Sequence, residues 1–369
     1  MDAPFANLPE AARWFRAWLV GSALPLWAEN GVDAGRGLFH EALSVEGRPV
    51  ELPRRARAQA RQAFVFATAA SEGFGSDYAV VAQQGYRRFV EVYRRPDGLF
   101  LRRASGEGVP LGDEADIYDQ AFVLLAMAAL HALAPADGYP EDAARLLGAL
   151  QARRTPAGGF RESVPHPYQA NCHMHLFESA LAWEEAGGGA QWAGLADEIA
   201  SLALSRFIEP ASGALREFFD AQWTAATGED GLVEPGHQFE WAWLLERWGR
   251  ARADRAAVAA AGRLYANGLK GVDAGRNVAM NAVWEDFSVR DADARLWPQT
   301  ERLKAALVLG TDAEALSAAE GLAQYLATPA RGVWRDKLRA DGGFVDEPAP
   351  TTSLYHLMVA ILELIARGG

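Results

Sequence analysis

Histidines placed beside carboxylates on helical segments are the residues of this sequence best suited to moving protons. His237 and Glu240 lie three residues apart in EPGHQFEWAWLLERW, where Pro235 and Gly236 mark the start of a helix. At this spacing both side chains lie on one helix face, which Trp243 extends by another turn. A carboxylate beside an imidazole fixes its tautomer and raises its basicity. A surface His–Glu pair is the alternative, but the surrounding tryptophans favour a buried acid–base pair.

His356 lies in TTSLYHLMVAILELI, an otherwise apolar stretch close to the end of the chain. An imidazole within such a run is either a hydrogen-bonded core residue or a base that faces a cavity. Thr351, Thr352 and Ser353 stand where the helix begins, after a loop rich in glycine and proline. We therefore expect His356 to lie near the mouth of a pocket.

A third histidine segment, YQANCHMHLFESAL, contains His173 and His175. A His-x-His pair can bind a metal, but residues two apart on a helix point to different sides. Without a second metal-binding motif we predict no metal site. His175 is expected to face the pocket, with Asn171 nearby and Glu178 one turn further on, and His173 is expected to be structural.

Polar and aromatic residues in three further segments suit a carbohydrate-binding cavity. Arg61 interrupts a helix that becomes apolar after Gln62, so its guanidinium needs an acceptor or a ligand. Sugars present C–H faces to aromatic rings and hydroxyl groups to fixed polar side chains. Together with three residues of the histidine segments, these segments supply the predicted sugar contacts, which are Tyr118, Asp119, Asn171, Glu178, Trp243, Trp297 and Glu301.

The segments that carry these residues recur along the whole chain. Arg61, Tyr118, His175, His237, Trp297 and His356 follow one another at intervals of 57 to 62 residues. Such a period accommodates two helices and their loops, and six units fill the 369 residues. The sequence therefore predicts an all-α fold, a single (α/α)6 barrel over residues 1–369 in which the six segments converge. A small β-hairpin is expected at 279–289, and scattered amphipathic helices remain the alternative.

Composition narrows the class of protein. The net charge of −12 and the pI of about 5.2 argue against a nucleic-acid or anionic-membrane partner. The single cysteine, Cys172, excludes an internal disulfide, and the N-terminus lacks the features of a secretory signal. The longest apolar run, Ala121 to Ala134, is too short to span a bilayer. We expect a cytoplasmic protein that acts on a small molecule, and a homodimer is compatible with the sequence.

Six segments of the chain together resemble the N-acylglucosamine 2-epimerase superfamily, which includes cellobiose 2-epimerases, mannose isomerases and sulfoquinovose isomerase. They are QARQAF, YDQAF, NCHMHLFESAL, EPGHQFEWAWLL, RLWPQTERLKA and SLYHLMVAI, in order between residues of about 55 and 360. The resemblance implies an (α/α)6 barrel and cofactor-free proton transfer on a reducing sugar.

Site residues follow from the same resemblance. It implies that His237 and His356 are the acid–base pair and that Glu240 is the carboxylate partner of the first. By the same comparison the residues that contact the substrate are Arg61, Asn171, His175, Trp297 and Glu301. Some isomerases of the family carry a second arginine about ten residues before the first histidine. Here that stretch is TAATGEDGLVEPG, so sugar specificity cannot be transferred from them.

The expected chemistry is removal of the C2 proton of an open-chain aldose by one histidine. The other histidine would open the ring or act as the acid on the opposite face, while Arg61 and His175 hold the charge on O1 or O2. The RLWPQTE and SLYH segments favour the mannose-isomerase branch, and hence mannose–fructose interconversion.

Four alternatives stay open at this point. They are a sugar 2-epimerase, a mannose-6-phosphate isomerase with Arg290 and Arg295 as an anion site, a glycoside hydrolase with paired carboxylates, and a non-catalytic scaffold.

Overall fold

The structure of the protein is a computed structural model that describes residues 5–163 and 165–368. Within these residues the chain is mainly helical. The α-helices are α1 (Leu8–Trp18), α2 (Leu24–Asn30), α3 (Ala56–Ser71), α4 (Asp77–Tyr93), α5 (Ile117–Leu133), α6 (Tyr139–Leu150), α7 (Ala170–Glu185), α8 (Ala190–Leu202), α9 (Pro235–Ala251), α10 (Arg255–Lys270), α11 (Leu296–Leu309), α12 (Asp312–Ala323) and α13 (Thr352–Gly368). Single π-helical turns follow α1 and α8, at Leu19–Ala23 and Ala203–Phe207.

The odd-numbered helices from α3 to α13 form a closed inner ring. Each packs against the next in chain order, and α13 packs against α3. These helices are buried over most of their circumference, since both the ring centre and the outer layer cover them. Helices apolar on all sides are expected only in such a position.

An outer layer covers the ring, with one outer helix against each inner one. The helices α4, α6, α8, α10 and α12 each pack on the inner helix that precedes them, and α1 packs on α13. The sixth pair therefore joins the two ends of the chain. Outer helices alternate buried and exposed positions, as amphipathic helices on a surface do.

Short strands occupy the loops that lead into the inner helices, more of them than the predicted single hairpin. They are β1 (Val32–Asp33), β2 (Leu38–Phe39), β3 (Ala42–Leu43), β4 (Pro49–Val50), β5 (Arg54–Arg55), β6 (Arg103–Ala104), β7 (Leu232–Val233), β8 (Val272–Asp273), β9 (Val278–Ala279), β10 (Ala282–Trp284), β11 (Val289–Asp291), β12 (Ala294–Arg295), β13 (Lys337–Leu338) and β14 (Ala349–Pro350).

The predicted hairpin at 279–289 is confirmed as the antiparallel pair β10–β11, which β7 extends to three strands. The other pairs are antiparallel too, and β3 joins β4 to β14. This last pairing ties the loop before α3 to the loop before α13. Strands of two or three residues show no alternating pattern, which is why the sequence alone did not indicate them.

A buried glutamine at the fourth position of four inner helices fixes the loop that precedes each helix. Its Nε2 donates to a backbone carbonyl and its Oε1 accepts the amide of the same residue. The glutamines are Gln59, Gln120, Gln238 and Gln299, and the residues they hold are Phe39, Phe100, Leu215 and Ala279. In α7 the same position is His173, whose Nε2 accepts the amide of Phe160 at 2.9 Å. We call these contacts the loop clamps.

The predicted period is confirmed by the helix positions. Its six marker residues all lie within the first six residues of successive inner helices. They therefore meet at one end of the ring. The apolar run from Ala121 is the buried body of α5, and among the described helices none is long and apolar enough to cross a membrane.

Candidate active site

A cavity of about 480 Å³ opens at the end of the ring where the inner helices begin. This volume suits a small ligand. Eight of the residues singled out from the sequence line it: Arg61, Tyr118, Asn171, His175, His237, Glu240, Trp297 and His356. Helix starts from all six units thus supply one cavity, as the period predicted.

His356 enters the cavity from α13 with a carboxylate behind it. Its Nδ1 lies 2.9 Å from Oε1 of Glu301, which leaves Nε2 for the cavity. Burial lowers the pKa of His356 well below its ordinary value, and the positive charges of Arg61 and Lys304 lower it further. The imidazole is therefore neutral near pH 7, with its proton on Nδ1 and a lone pair on Nε2.

His237 enters from α9, and its carboxylate partner is not the one expected. Its Nδ1 lies 2.7 Å from Oε2 of Glu217, a residue of the preceding loop, and 3.9 Å from Glu234. The pairing of His237 with Glu240 is thus corrected, because the ring turns towards the loop and away from the next turn of its own helix. Burial alone would lower the pKa of His237, but Glu217 and Glu234 raise it to about 9.

The side chain of Trp297 packs against both histidines. Its ring centroid is 5.0 Å from that of His237 and 5.9 Å from that of His356. All three rings line the same cavity. A sugar that contacts Trp297 would therefore have a cationic imidazole and a neutral imidazole close by.

His175, from α7, faces the cavity as predicted. Its Nδ1 lies 3.2 Å from Oε2 of Glu178, and its ring packs edge-on against Tyr118 and tilted against Phe122. Burial lowers the pKa of His175 to about 4 even though Glu178 raises it. Its proton stays on Nδ1, so Nε2 can accept a hydrogen bond from a ligand.

His173 lies outside the cavity. Besides the loop clamp to Phe160, its Nδ1 bonds the carbonyl of Gln169 at 2.8 Å. Both ring nitrogens are thus used, in agreement with the expectation that this histidine is structural.

Arg61 is the lining cation that keeps its charge for a ligand. Its guanidinium bonds the carbonyl of Thr352 at 3.1 Å and the hydroxyl of Tyr118 at 2.9 Å, and lies 3.9 Å from the ring centre of Phe122. Within the described part of the chain no carboxylate pairs with it, and its buried Nε has no hydrogen-bond partner. A buried, unpaired guanidinium of this kind is suited to an anionic oxygen.

Glu240 lines the cavity from α9 and is almost completely buried. Its Oε1 lies 3.9 Å from Nδ1 of His175 and has no hydrogen-bond partner among residues 5–163 and 165–368. Burial, together with the charges of Glu301 and Glu178, raises the pKa of Glu240 well above its ordinary value. The protein therefore disfavours the ionised form of this carboxyl group relative to water.

Four residues predicted to contact sugar lie behind the cavity wall instead. Glu178 and Glu301 hold His175 and His356, and Asp119 pairs with Arg57 at 3.0 Å. Trp243 bonds Glu363 and packs on the ammonium of Lys304. The prediction that these four side chains contact the sugar directly is therefore wrong. Each of them binds a buried partner instead and supports the residues that line the cavity.

Sequence reasoning missed several residues of this site. Glu217 lies in an irregular loop, and nothing in its local sequence indicates a histidine partner. Lys304 could have been found, since it interrupts a buried helix as Arg61 does. The remaining side chains at the rim are Arg55, Arg57, Arg102, Asp116, Glu162, Gln169, Glu234, Arg295, Asp336 and Lys337.

The cations at the cavity rim are already paired with carboxylates. Arg55 bonds Glu41, Arg102 lies 3.0 Å from Asp116, Arg295 lies 3.3 Å from Glu234, and Lys337 lies 2.9 Å from Glu347. Because each positive charge has an adjacent negative one, the rim is close to neutral.

Some of the buried donor groups have metal-like spacing. Glu240, Glu301 and His356 form one such group, and His175 and Glu178 form another with Glu240. The ammonium of Lys304, 2.5 Å from Glu301, supplies positive charge beside the first group. The imidazole Nδ1 atoms of both groups are engaged with carboxylates. A metal ion would have to displace these contacts.

Comparison with known proteins agrees with this geometry. Residues 37–360 match the family model described as N-acylglucosamine 2-epimerase. The chain is 45% identical over 371 residues to a protein of Rhizobium meliloti (strain 1021) named mannose-6-phosphate isomerase, and the match covers 94% of this chain and 95% of that one.

Two further similarities concern proteins named for free mannose. The chain is 30% identical over 325 residues to a D-mannose isomerase of Thermobifida fusca, with 80% of this chain and 72% of that one covered. A solved structure of a D-mannose isomerase superposes with a TM-score of 0.88 at 19% identity and covers 96% of this chain and 97% of that one. At 19% identity this similarity is evidence for a shared fold alone.

Proposed function

Because this chain belongs to the N-acylglucosamine 2-epimerase family, we propose that it is an (α/α)6-barrel isomerase that interconverts an aldose and a ketose of the D-mannose and D-fructose type. The observation that carries the proposal is the pair of histidines, His237 and His356, which both pack against Trp297 and whose pKa values are shifted in opposite directions. The two relatives described above, at 45% and 30% identity, are named isomerases, which supports an aldose–ketose reaction.

His356 is the base that moves the carbon-bound proton. A base must be unprotonated near pH 7, and the neutral imidazole with a free Nε2 meets that need. Nε2 takes the proton from C2 of the open-chain aldose, and the electron pair forms the C1–C2 double bond of the enediolate. The proton on O2 passes to O1, and return of the carbon-bound proton from Nε2 to C1 then completes the ketose with its carbonyl at C2. Glu301 holds the ring of His356 in place throughout.

His237 is the acid that acts on oxygen. With a pKa of about 9 it is an imidazolium at neutral pH, and Glu217 stabilises that charge. It donates its Nε2 proton to the ring oxygen when the pyranose opens and takes the proton back at closure. An acid and a base thus share the cavity at one pH.

Arg61 stabilises the negative charge that develops on O1 and O2. Its guanidinium is buried and free of carboxylates in the described part of the chain, so a sugar oxyanion is its natural partner. For His175 the structure favours a different role from the predicted one. Its proton is held on Nδ1 by Glu178, so Nε2 accepts a hydrogen bond from a sugar hydroxyl.

A sugar phosphate is the second candidate substrate, because the 45% identical relative is named mannose-6-phosphate isomerase. Arg55, Arg102 and Arg295 stand at the rim, but each is already paired with a carboxylate. A phosphate dianion would compete with those carboxylates, whereas a neutral sugar would not. We therefore favour the free sugar.

The carboxyl groups of the site do not favour a glycoside hydrolase. Such an enzyme needs a carboxylic acid and a carboxylate on either side of the scissile bond. Asp116 is bonded to Ser163, and Glu162 caps the first amides of α5. Glu240 alone among these has an unbonded oxygen in the described residues.

Incubation with a panel of sugars in deuterated water tests the proposal. We expect D-mannose to give D-fructose with deuterium at C1, and mannose 6-phosphate to react more slowly. A 2-epimerase would instead return an aldose labelled at C2. The ratio of kcat/KM for the free and phosphorylated sugars decides between the two substrate classes.

Two histidine variants refine the test. His356→Gln should lower kcat by roughly 10²–10⁴-fold and abolish hydrogen exchange with solvent, as loss of a general base does. His237→Gln should slow turnover but retain exchange, since it acts on oxygen. His131→Gln, on the body of α5, is the matched control. Full turnover by both cavity variants would refute the mechanism.

A further inference from the structure

Behind the cavity, the ammonium group of Lys304 lies among three carboxyl groups. Lys304 is completely buried, its Nζ is 2.5 Å from Oε2 of Glu301, and it lies 4.0 Å from the ring centre of Trp243. Glu178 and Glu240 are the other carboxyl groups whose charges act on it. Removal of an ammonium ion from water costs several kcal/mol unless a partner compensates. The presence of a buried ammonium group at this position therefore needs a physical explanation.

The hydrogen bonds indicate which carboxyl groups are ionised. Glu178 accepts from the hydroxyl of Tyr355 and from Nδ1 of His175, and its pKa falls to about 2 although burial opposes this. For Glu240, burial and the neighbouring carboxylates raise the pKa and so favour the protonated form. Oε1 of Glu301 accepts a hydrogen bond from Nδ1 of His356, and its Oε2 forms an ion pair with the ammonium of Lys304.

We propose that Lys304 is a positioning residue for His356: its ammonium keeps Glu301 ionised, and the ionised Glu301 holds the imidazole proton on Nδ1. The inference rests on the proposed function only in that His356 is named there as the base. Lys304 does not line the cavity, so it acts through Glu301.

Without the ammonium, the tautomer of His356 reverses. Burial already raises the pKa of Glu301, and the lysine opposes that rise. In its absence Glu301 takes up a proton and donates its O–H to Nδ1 of His356. The single proton of the neutral ring then resides on Nε2, and the lone pair that accepts the C2 proton is lost.

The charged and titratable groups around this pair come from every neighbouring inner helix except α5. Their sum is close to zero when Glu240 is protonated, so that loss of one positive charge leaves the cluster with an excess negative charge. The groups are Arg61 on α3, His175 and Glu178 on α7, Glu240 on α9, and Tyr355 and His356 on α13.

Nitrogen-15 NMR of histidine-labelled protein tests the tautomer directly. The chain has seven histidines, and a His356→Gln variant assigns the resonances of residue 356. We expect His356 to be the Nδ1–H tautomer in the wild type and the Nε2–H tautomer in Lys304→Met. An unchanged tautomer in a folded Lys304→Met protein would overturn the proposal. This readout needs no substrate, so it stands even if the proposed function fails.

Kinetics provide a second readout. Lys304→Met should lower kcat by roughly 100-fold with little change in KM, as expected for a misplaced general base. The loss of kcat in Lys304→Met should be largest at low pH, because Glu301 ionises again as the pH rises. The acid limb of kcat therefore moves to higher pH. Lys270→Met, an exposed lysine on α10, is the matched control and should leave kcat unchanged.

A double variant covers the case in which Lys304→Met does not fold. Lys304 acts through Glu301, so in a Glu301→Gln background its replacement by methionine should change kcat by less than about threefold. The double variant replaces a buried ion pair by neutral groups, which proteins often tolerate. A further tenfold loss there would mean that Lys304 acts on its own, and would overturn the proposal.

Discussion

His237 and His356 line one cavity, yet their surroundings make the first imidazole cationic and leave the second neutral near pH 7. Two glutamates, Glu217 and Glu234, face the first, whereas Arg61 and Lys304 act on the second. A difference in nearby charge is sufficient to turn one imidazole into an acid and the other into a base. At the scale of single residues, function therefore depends on which charged side chain lies behind each ring.

Replacement of Glu217 by glutamine tests this dependence at His237. Without the carboxylate, the pKa of His237 should fall from about 9 towards or below its ordinary 6.5, because burial then acts unopposed by its largest partner. The acid form is lost above that pKa, so the alkaline limb of kcat/KM should move to lower pH.

The pH profile of kcat/KM for the sugar substrate measures this shift. Glu229→Gln, on an exposed turn, is a matched control whose profile should follow the wild type. An alkaline limb that stays in place in Glu217→Gln would mean that Glu217 does not set the charge of His237.

At the scale of elements, the loop clamps place each incoming loop against the start of an inner helix. Gln59, Gln120, Gln238 and Gln299 each satisfy one buried amide and one buried carbonyl of a loop that has little regular structure of its own. Buried backbone groups without partners are strongly unfavourable. The clamps therefore hold the loops that carry residues such as Glu217 in register with the histidines.

Gln299→Leu should be destabilising for this reason. It leaves the amide and the carbonyl of Ala279 buried without their partner, at a cost of about 1–3 kcal/mol for each group. We expect the free energy of unfolding, measured with urea, to fall by about 2–5 kcal/mol. Gln191→Leu, exposed on α8, is the control and should change it by less than about 0.5 kcal/mol. Equal effects of the two variants would argue against the clamp.

At the scale of the whole molecule, buried histidines make stability depend on pH. Burial is the main cause that lowers the pKa of His173 and His175 to about 4. The pKa of His356 is lowered as well, while that of His237 is raised to about 9. Below pH 6.5, the histidines with lowered pKa values are protonated in the unfolded chain but stay neutral in the folded one. Their contribution to stability therefore falls as the pH falls. Above pH 6.5 the folded chain keeps a proton on His237 that the unfolded chain loses, so stability falls as the pH rises.

The contribution of these four histidines to the free energy of unfolding should accordingly be largest near pH 6.5, and comparison of wild type and histidine variants in denaturant titrations between about pH 5 and 9 measures it. His173→Gln offers a selective test, since glutamine is the residue that other inner helices carry at this clamp position. We expect this variant to fold and to show a shallower acid limb with the alkaline limb unchanged. An acid limb as steep as that of the wild type would contradict the assignment.

Much of the fold and of the candidate site could be predicted from the sequence, and particular residues show where such prediction fails. Helical periodicity and punctuation located the six inner helices, and residue type identified His237, His356, His175 and Arg61 as cavity residues. The predicted partner of His237, Glu240, was wrong, because a spacing of three residues along a helix allows two side chains to touch but does not require it. The short strands were missed because two or three residues carry no periodicity.

Local spacing was enough to place the six marked segments on helices and to identify their polar residues. Which carboxylate contacts which histidine follows from the tertiary fold. Those contacts join residues 20 and 55 positions apart, across loops and between helices. The charge state of each group depends on its burial and on all its neighbours in space, and no local pattern contains that information.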